Sequence, residues 1–170
     1  RQKIQTQIDG QKNIESRRQL GQFSTPLALA KEIISYGLTL QHENEISFLE
    51  PAFGTGSFYS ALLSQIESTD KCIDNATGVE VDNMFYSAAK ELWDGYNINL
   101  INSDFTECEC TSKYNFLVSN PPYVRHHFIN QTKKVELAKS VLQETGLSFT
   151  GLAGLYCYFI LLSHKWLAPN

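Results

Sequence analysis

Between residues 46 and 119 short apolar runs alternate with amphipathic stretches, and this alternation restricts the fold more than any other feature of the chain. Ile46–Glu50 reads as a strand, followed by a glycine-containing turn and a helix over Ser57–Ile66. Ala76–Val81 reads as a second strand with a helix from Asn83 to Trp93; Ile98–Ile101 and Phe116–Ser119 read as the third and fourth strands. Apolar strands separated by helices pair in parallel and are covered on both faces. The expected class is therefore α/β, with a parallel sheet between helical layers. Ahead of the sheet, Thr25 is placed to cap a helix that Pro26 begins and Gly37 ends. Leu155, Phe159, Leu162 and Trp166 recur at helical spacing and predict one more core-facing helix. Residues 1–20, rich in Gln, Lys and Arg and without an apolar stripe, read as a helical lead-in or linker, with the catalytic unit over 21–170.

A chain of 170 residues with 42% hydrophobic and 19% charged residues can bury one core, which excludes a disordered segment. The longest apolar stretch, near Leu155–Leu162, is too short to cross a membrane, and no leader precedes it, so a cytoplasmic location is expected. Cys72, Cys108, Cys110 and Cys157 lack the paired spacing of a zinc site, so no metal is expected. A net charge of −4 argues against a chain dominated by nucleic-acid binding, while leaving room for a DNA enzyme whose basic surface lies elsewhere. Arg1 in place of Met, and a stop at Pro169-Asn170 after only four strands, predict a piece of a longer polypeptide with further strands beyond Asn170.

The strand ends carry the chemistry. The first runs into Glu50-Pro51-Ala52-Phe53-Gly54-Thr55-Gly56, where glycines let the backbone turn and approach a ligand. A dinucleotide fingerprint needs a third glycine at the position of Tyr59. Its absence favours a ligand without a pyrophosphate, such as S-adenosylmethionine. Glu80, at the second strand end, suits the two hydroxyls of a ribose, whereas Asp82 suits a helix cap. At the third, Asp104 can accept from an adenine amine and Phe105 can wall the ring.

The fourth strand ends in Asn120-Pro121-Pro122-Tyr123. Two prolines remove amide hydrogens, so this loop presents carbonyls, and Asn120 adds a side-chain carbonyl. Together they can accept both hydrogens of a planar NH2 group, while Tyr123 offers a face on which a base can stack. The loop therefore points to methyl transfer onto an amino group, without selecting adenine, an RNA base or a glutamine side chain.

Gly21–Pro26, the Glu50–Phe58 loop, Glu80, Asp104-Phe105 and Asn120–Arg125 occur in one order. That order resembles the gamma-type N6-adenine DNA methyltransferases of restriction–modification systems, in particular the Type IIG/IIS enzymes that join methylase and endonuclease. The resemblance implies a Rossmann-like S-adenosylmethionine-dependent methyltransferase fold. It implies that Phe23, Thr25, Glu50, Ala52, Phe53, Gly54 and Gly56 surround the methionine and sugar of the cofactor, and that Glu80 binds its ribose. Val81, Asp104 and Phe105 would hold its adenine. Asn120 and the Pro121 carbonyl would bind the target amine of a flipped-out adenine, with Pro122 rigidifying the loop and Tyr123 stacked on the base.

Two departures stand out: Gly154 replaces a polar residue often found before the Leu155-Tyr156 pair, and a strand-initiating Pro-Gly-Gly is cut off as Pro169-Asn170. By the same resemblance the partners are double-stranded DNA, a target-recognition domain, and a nuclease in the same or another chain. A piece lacking those parts is expected to be inactive alone. Arg125, Lys133 and Lys134, just after the reacting loop, are candidates for phosphate contacts. A cofactor-binding module without turnover is the rival class. A nuclease within these residues is disfavoured, because no Glu-x-Lys or Asp-x-Lys occurs.

Overall fold

The computed structural model describes Gln5, Gln7, Ile8, residues 21–148 and residues 151–169, so most of the expected lead-in over 1–20 lies outside the described residues. Four parallel strands, β1 (Glu45–Glu50), β2 (Cys72–Glu80), β3 (Asn99–Asn102) and β4 (Phe116–Leu117), form one sheet in the order β3-β2-β1-β4. Helices α1 (Leu27–Thr39), α2 (Ser57–Ile66), α3 (Asn83–Leu92), α4 (Gln131–Thr145) and α5 (Leu155–Ser163) complete the described fold. The order reverses between β1 and β4, which pair side by side, and such a switch point leaves a crevice at the carboxyl ends of the strands.

Alternation along β1 builds the two cores. Ile46 and Phe48 face a cluster with Ile34 of α1, Phe58 and Leu62 of α2, and Trp93. Leu49 faces the opposite cluster, where Val79, Phe105 and Phe159 of α5 meet Trp166. Leu137 and Val141 of α4 pack on Tyr158 and Leu162 of α5, forming a third cluster outside the sheet. No helix among the described residues is long and apolar enough to cross a membrane.

Three local expectations need correction. Pro26 is the residue before α1 and not its first turn, and its carbonyl accepts from Ala30 N at 2.9 Å. Thr25 is consequently not a cap. Gly37 does not end α1, which continues to Thr39. A Cβ at Gly37 would lie 2.6 Å from the Phe116 ring, so this glycine lets helix and sheet approach. The third correction is α4. Asn130 caps it by accepting from Lys133 N at 2.7 Å, and Gly146 closes it, in a stretch read from sequence only as a basic segment.

Asp82, by contrast, caps α3 as expected, accepting from the amides of Met84 and Phe85. Beyond α5, Leu167 forms a parallel bridge with Tyr114, just ahead of β4.

Candidate active site

The carboxyl ends of β1, β2 and β3, the turn after β4 and the segment 21–25 enclose a cleft of about 320 Å³. Phe23, Thr25, Glu50, Ala52, Phe53, Gly54, Glu80, Val81, Asp104, Phe105, Asn120 and Pro122 all line it. Gly56, Pro121 and Tyr123 do not. A Cβ at Gly56 would lie 2.5 Å from the Phe53 ring and 2.6 Å from Trp93 Nε1, so that glycine serves packing beneath the loop. Around Gly54 a Cβ would meet nothing within 4 Å, which leaves its backbone open to the cleft. The back of the loop is fixed through the Thr55 carbonyl, which accepts from Trp93 Nε1 at 3.0 Å and from the buried Gln5 Nε2 at 2.8 Å.

The charge of the lining is acidic. Glu50, Glu80, Asp82 and Asp104 face the cleft, and no Lys, Arg or His is among the described residues that line it. Such a surface repels a polyphosphate and suits a ligand with cationic groups and hydroxyl donors. The Glu80 carboxylate accepts from Gly54 N at 2.7 Å and from Asp82 N at 2.8 Å, which fixes its plane at the strand end. Glu50 is 2% exposed; burial pushes its carboxyl well above the ordinary range, outweighing the amides of Tyr59 and Phe58, and the nearby Glu80 charge adds to the rise. Val81, although apolar, is 62% exposed beside these acids and offers a wall to a flat ring.

Asp104 accepts from Thr106 N at 2.9 Å and Thr106 Oγ1 at 2.7 Å on one oxygen, and from Lys133 Nζ at 2.9 Å on the other. Burial pushes this carboxyl up, but the Thr106 and Lys133 donors outweigh it and hold it below the ordinary range. Lys133 also pairs with Glu107, so the structure turns it inward onto the β3 end, contrary to its expected place on a phosphate. Arg125 is exposed, and Lys134 is partly so.

The reacting loop is held from two sides. Tyr123 N donates to Gly21 O at 3.1 Å, and Leu155 N donates to Val124 O at 2.9 Å. Asn120 Nδ2 donates to Phe23 O at 2.9 Å and to Thr25 Oγ1 at 3.2 Å. A backbone carbonyl can only accept, so the NH2 side of the amide must face Phe23, and the side-chain oxygen is turned away from it. Tyr123 is 52% exposed, with Phe23 edge-on at 6.3 Å and Tyr156 tilted at 6.2 Å, an aromatic cluster beside the amide. Leu155 and Phe159, read from sequence only as core, also line the cleft. Their helical spacing carried no sign of which face they would present. Among the described residues no group of three or more His, Cys, Asp or Glu could hold a metal ion.

Known proteins resemble this chain in sequence and in fold. The model of a family described as Eco57I restriction-modification methylase matches residues 26–170. The Type II methyltransferase M.AccI of Acinetobacter calcoaceticus is 30% identical over 159 residues, covering 93% of this chain. The chain spans 28% of the length of that relative. A Listeria monocytogenes structure described as a class I S-adenosylmethionine-dependent methyltransferase superposes with a TM-score of 0.71 at 18% identity, covering 98% of this chain and 48% of its own. The type IIG restriction endonuclease BpuSI superposes with a TM-score of 0.63 at 17% identity, over 86% of this chain and 18% of its own. The fold is thus the Rossmann-like fold of S-adenosylmethionine-dependent methyltransferases, as expected from the sequence.

Proposed function

The chain belongs to the Eco57I restriction-modification methylase family, and from that premise we propose that it carries the cofactor and reacting loops of an enzyme that methylates the N6 amino group of adenine in DNA. The observation that carries this reading is the Asn120 amide, whose NH2 side is occupied by Phe23 and Thr25 and whose oxygen is left to accept. S-adenosylmethionine fits the acidic cleft, and when bound it supplies an electrophilic methyl group on a sulfonium. Glu80 would accept from its ribose hydroxyls, Glu50 would face its charged end, and Asp104 would take its adenine amine between Val81 and Phe105. Asn120 Oδ1 and the Pro121 carbonyl accept the two hydrogens of the target amine, which frees the nitrogen lone pair from the ring. Held this way, the nitrogen could accept the methyl group that the bound cofactor would supply, and its proton could pass to water afterwards, so no strong base is required. Tyr123 stacks on the extruded base.

Arg125 and Lys134 remain as phosphate contacts, and a nuclease and a target-recognition module complete the restriction–modification pair. With DNA as substrate the reaction takes place in the cytoplasm. The full-length protein, incubated with unmethylated DNA and cofactor, should leave N6-methyladenine in one sequence context, read by single-molecule sequencing. Methyl transfer confined to RNA or to protein glutamine, or none at all, would overturn the proposal.

Glu50 makes a separate prediction. Between the ordinary carboxylate range and its raised value, Glu50 is protonated in the empty cleft. A cationic cofactor favours the ionised form, so binding releases a proton, and affinity weakens as pH falls through that window. Calorimetry of the full-length protein in buffers of different ionisation enthalpy should detect the release, and Glu50→Gln should abolish it. Identical binding heats in all buffers would show that Glu50 does not titrate with the cofactor.

A further inference from the structure

Granted that reading of the site, we infer that Thr25 is a positioning residue for the reaction: with the Phe23 carbonyl it clamps the Asn120 amide so that its oxygen, and not its nitrogen, meets the acceptor. The resemblance assigns Thr25 to the cofactor alone. In the structure its hydroxyl accepts from Asn120 Nδ2 at 3.2 Å, beside the 2.9 Å bond to Phe23 O. An asparagine amide is nearly symmetric in shape, and a half-turn of the side chain would exchange its oxygen for NH2. That rotamer would present donors to the two hydrogens of the target amine and block the productive contact. The backbone carbonyl alone disfavours the flip, because two carbonyl oxygens would then face each other. The hydroxyl could serve either face, so the carbonyl chooses the face, and the hydroxyl then accepts a second hydrogen bond that holds the amide there.

Thr25 also lines the cofactor cleft, and the hydrogen of its hydroxyl remains available for donation into it. Donation to an anionic group of the cofactor would strengthen the oxygen as an acceptor, since hydrogen bonds in a chain polarise one another. Thr25 thereby links occupancy of the cofactor half to alignment of the reacting half. The contact spans 95 positions of sequence, and the Phe23 contact 97. The segment before α1 is thus tied into the acceptor pocket.

The test uses the full-length protein and a double-mutant cycle. At saturating cofactor, Thr25→Val should lower the single-turnover methylation rate about five- to tenfold, the worth of one hydrogen bond. Thr25→Ser should restore it. Once Asn120 is alanine, the valine change should cost nothing more, because the group it positions has gone. A further loss of the same size, or full recovery of Thr25→Val at high cofactor, would reduce Thr25 to a cofactor contact and overturn the clamp. A second readout is independent of turnover. In protein carrying 15N-asparagine, the Asn120 side-chain amide should be protected from solvent exchange, and Thr25→Val should speed that exchange. An inactive wild-type protein with this protection intact would sink the methyl-transfer reading and leave the clamp standing. Protection unchanged by Thr25→Val would sink the clamp.

Discussion

Asn120→Ala in the full-length protein should lower the single-turnover rate of methyl transfer about 10²–10³-fold, the loss found when one preorganised hydrogen-bonding group is removed from a reacting centre. The expectation follows from the direction in which the amide faces. Its NH2 side is used within the protein, on Phe23 O and Thr25 Oγ1, so alanine removes the accepting oxygen and also loosens the segment before α1. Cofactor affinity should change far less than the rate, because Glu50, Glu80 and Asp104 stay in place and, of its expected contacts, only Phe23 and Thr25 lie on the loosened segment. The rate should therefore fall without a matching rise in the cofactor KM. Asn120→Asp is the sharper variant. It preserves size but sets an oxygen 2.9 Å from the Phe23 carbonyl, where a donor stood, so it should fail nearly as badly as alanine. Cofactor titrations and thermal melts of both variants separate chemistry from folding. A rate within about tenfold of wild type for Asn120→Ala would remove this amide from the reaction.

What the sequence disclosed, and what it did not, divides along the range of the interactions involved. The strand ends were legible because their chemistry is local: Glu80 lies on β2, Asp82 caps the helix that follows at once, and Asn120 follows β4. The order of those ends across the sheet then brings Glu50, Glu80, Asp104 and Asn120 to one cleft. Contacts across long stretches of chain were not legible. Nothing near Thr25 announces that its hydroxyl belongs to Asn120, and a Thr-Pro pair ahead of a helix looks like a cap. Gly56 read as a ligand contact because it shares a glycine-containing loop at a strand end with Gly54, yet the Phe53 and Trp93 rings occupy the space beside it.

Helix α4 was missed for a different reason. Its caps, Asn130 and Gly146, are plain in the sequence, but only Leu137 and Val141 bury on it, while Val135 and Leu142 are exposed among its polar residues. The lysines on it suggested a phosphate surface. Lys133 instead reaches back to Asp104 and Glu107, a pairing that brings the first turn of α4 beside the residues that follow β3.

The same long-range coupling makes Gly21 a sensitive position outside the cleft's polar groups. Gly21 has φ +61° and donates no side chain; its carbonyl accepts from Tyr123 N, and a Cβ there would lie 2.5 Å from Tyr123 N and 2.7 Å from Val124 N. Those are backbone atoms of the reacting loop, and unlike a flexible side chain they cannot turn aside. Alanine must therefore displace the loop or leave the left-handed conformation, and either movement shifts Asn120 relative to the acceptor. A displacement near 1 Å at a reacting centre costs about 10²-fold in rate, while overpacking of this kind costs about 1–3 kcal/mol of stability. Gly95→Ala is the matched control, with φ +78° and nothing within 4 Å of its Cβ. It should show the backbone strain of about 1–2 kcal/mol without the steric overlap, and no loss of rate. If Gly21→Ala methylates as fast as Gly95→Ala at equal folded fraction, the reacting loop does not depend on this contact, and the segment before α1 acts on the site through the Asn120 amide alone.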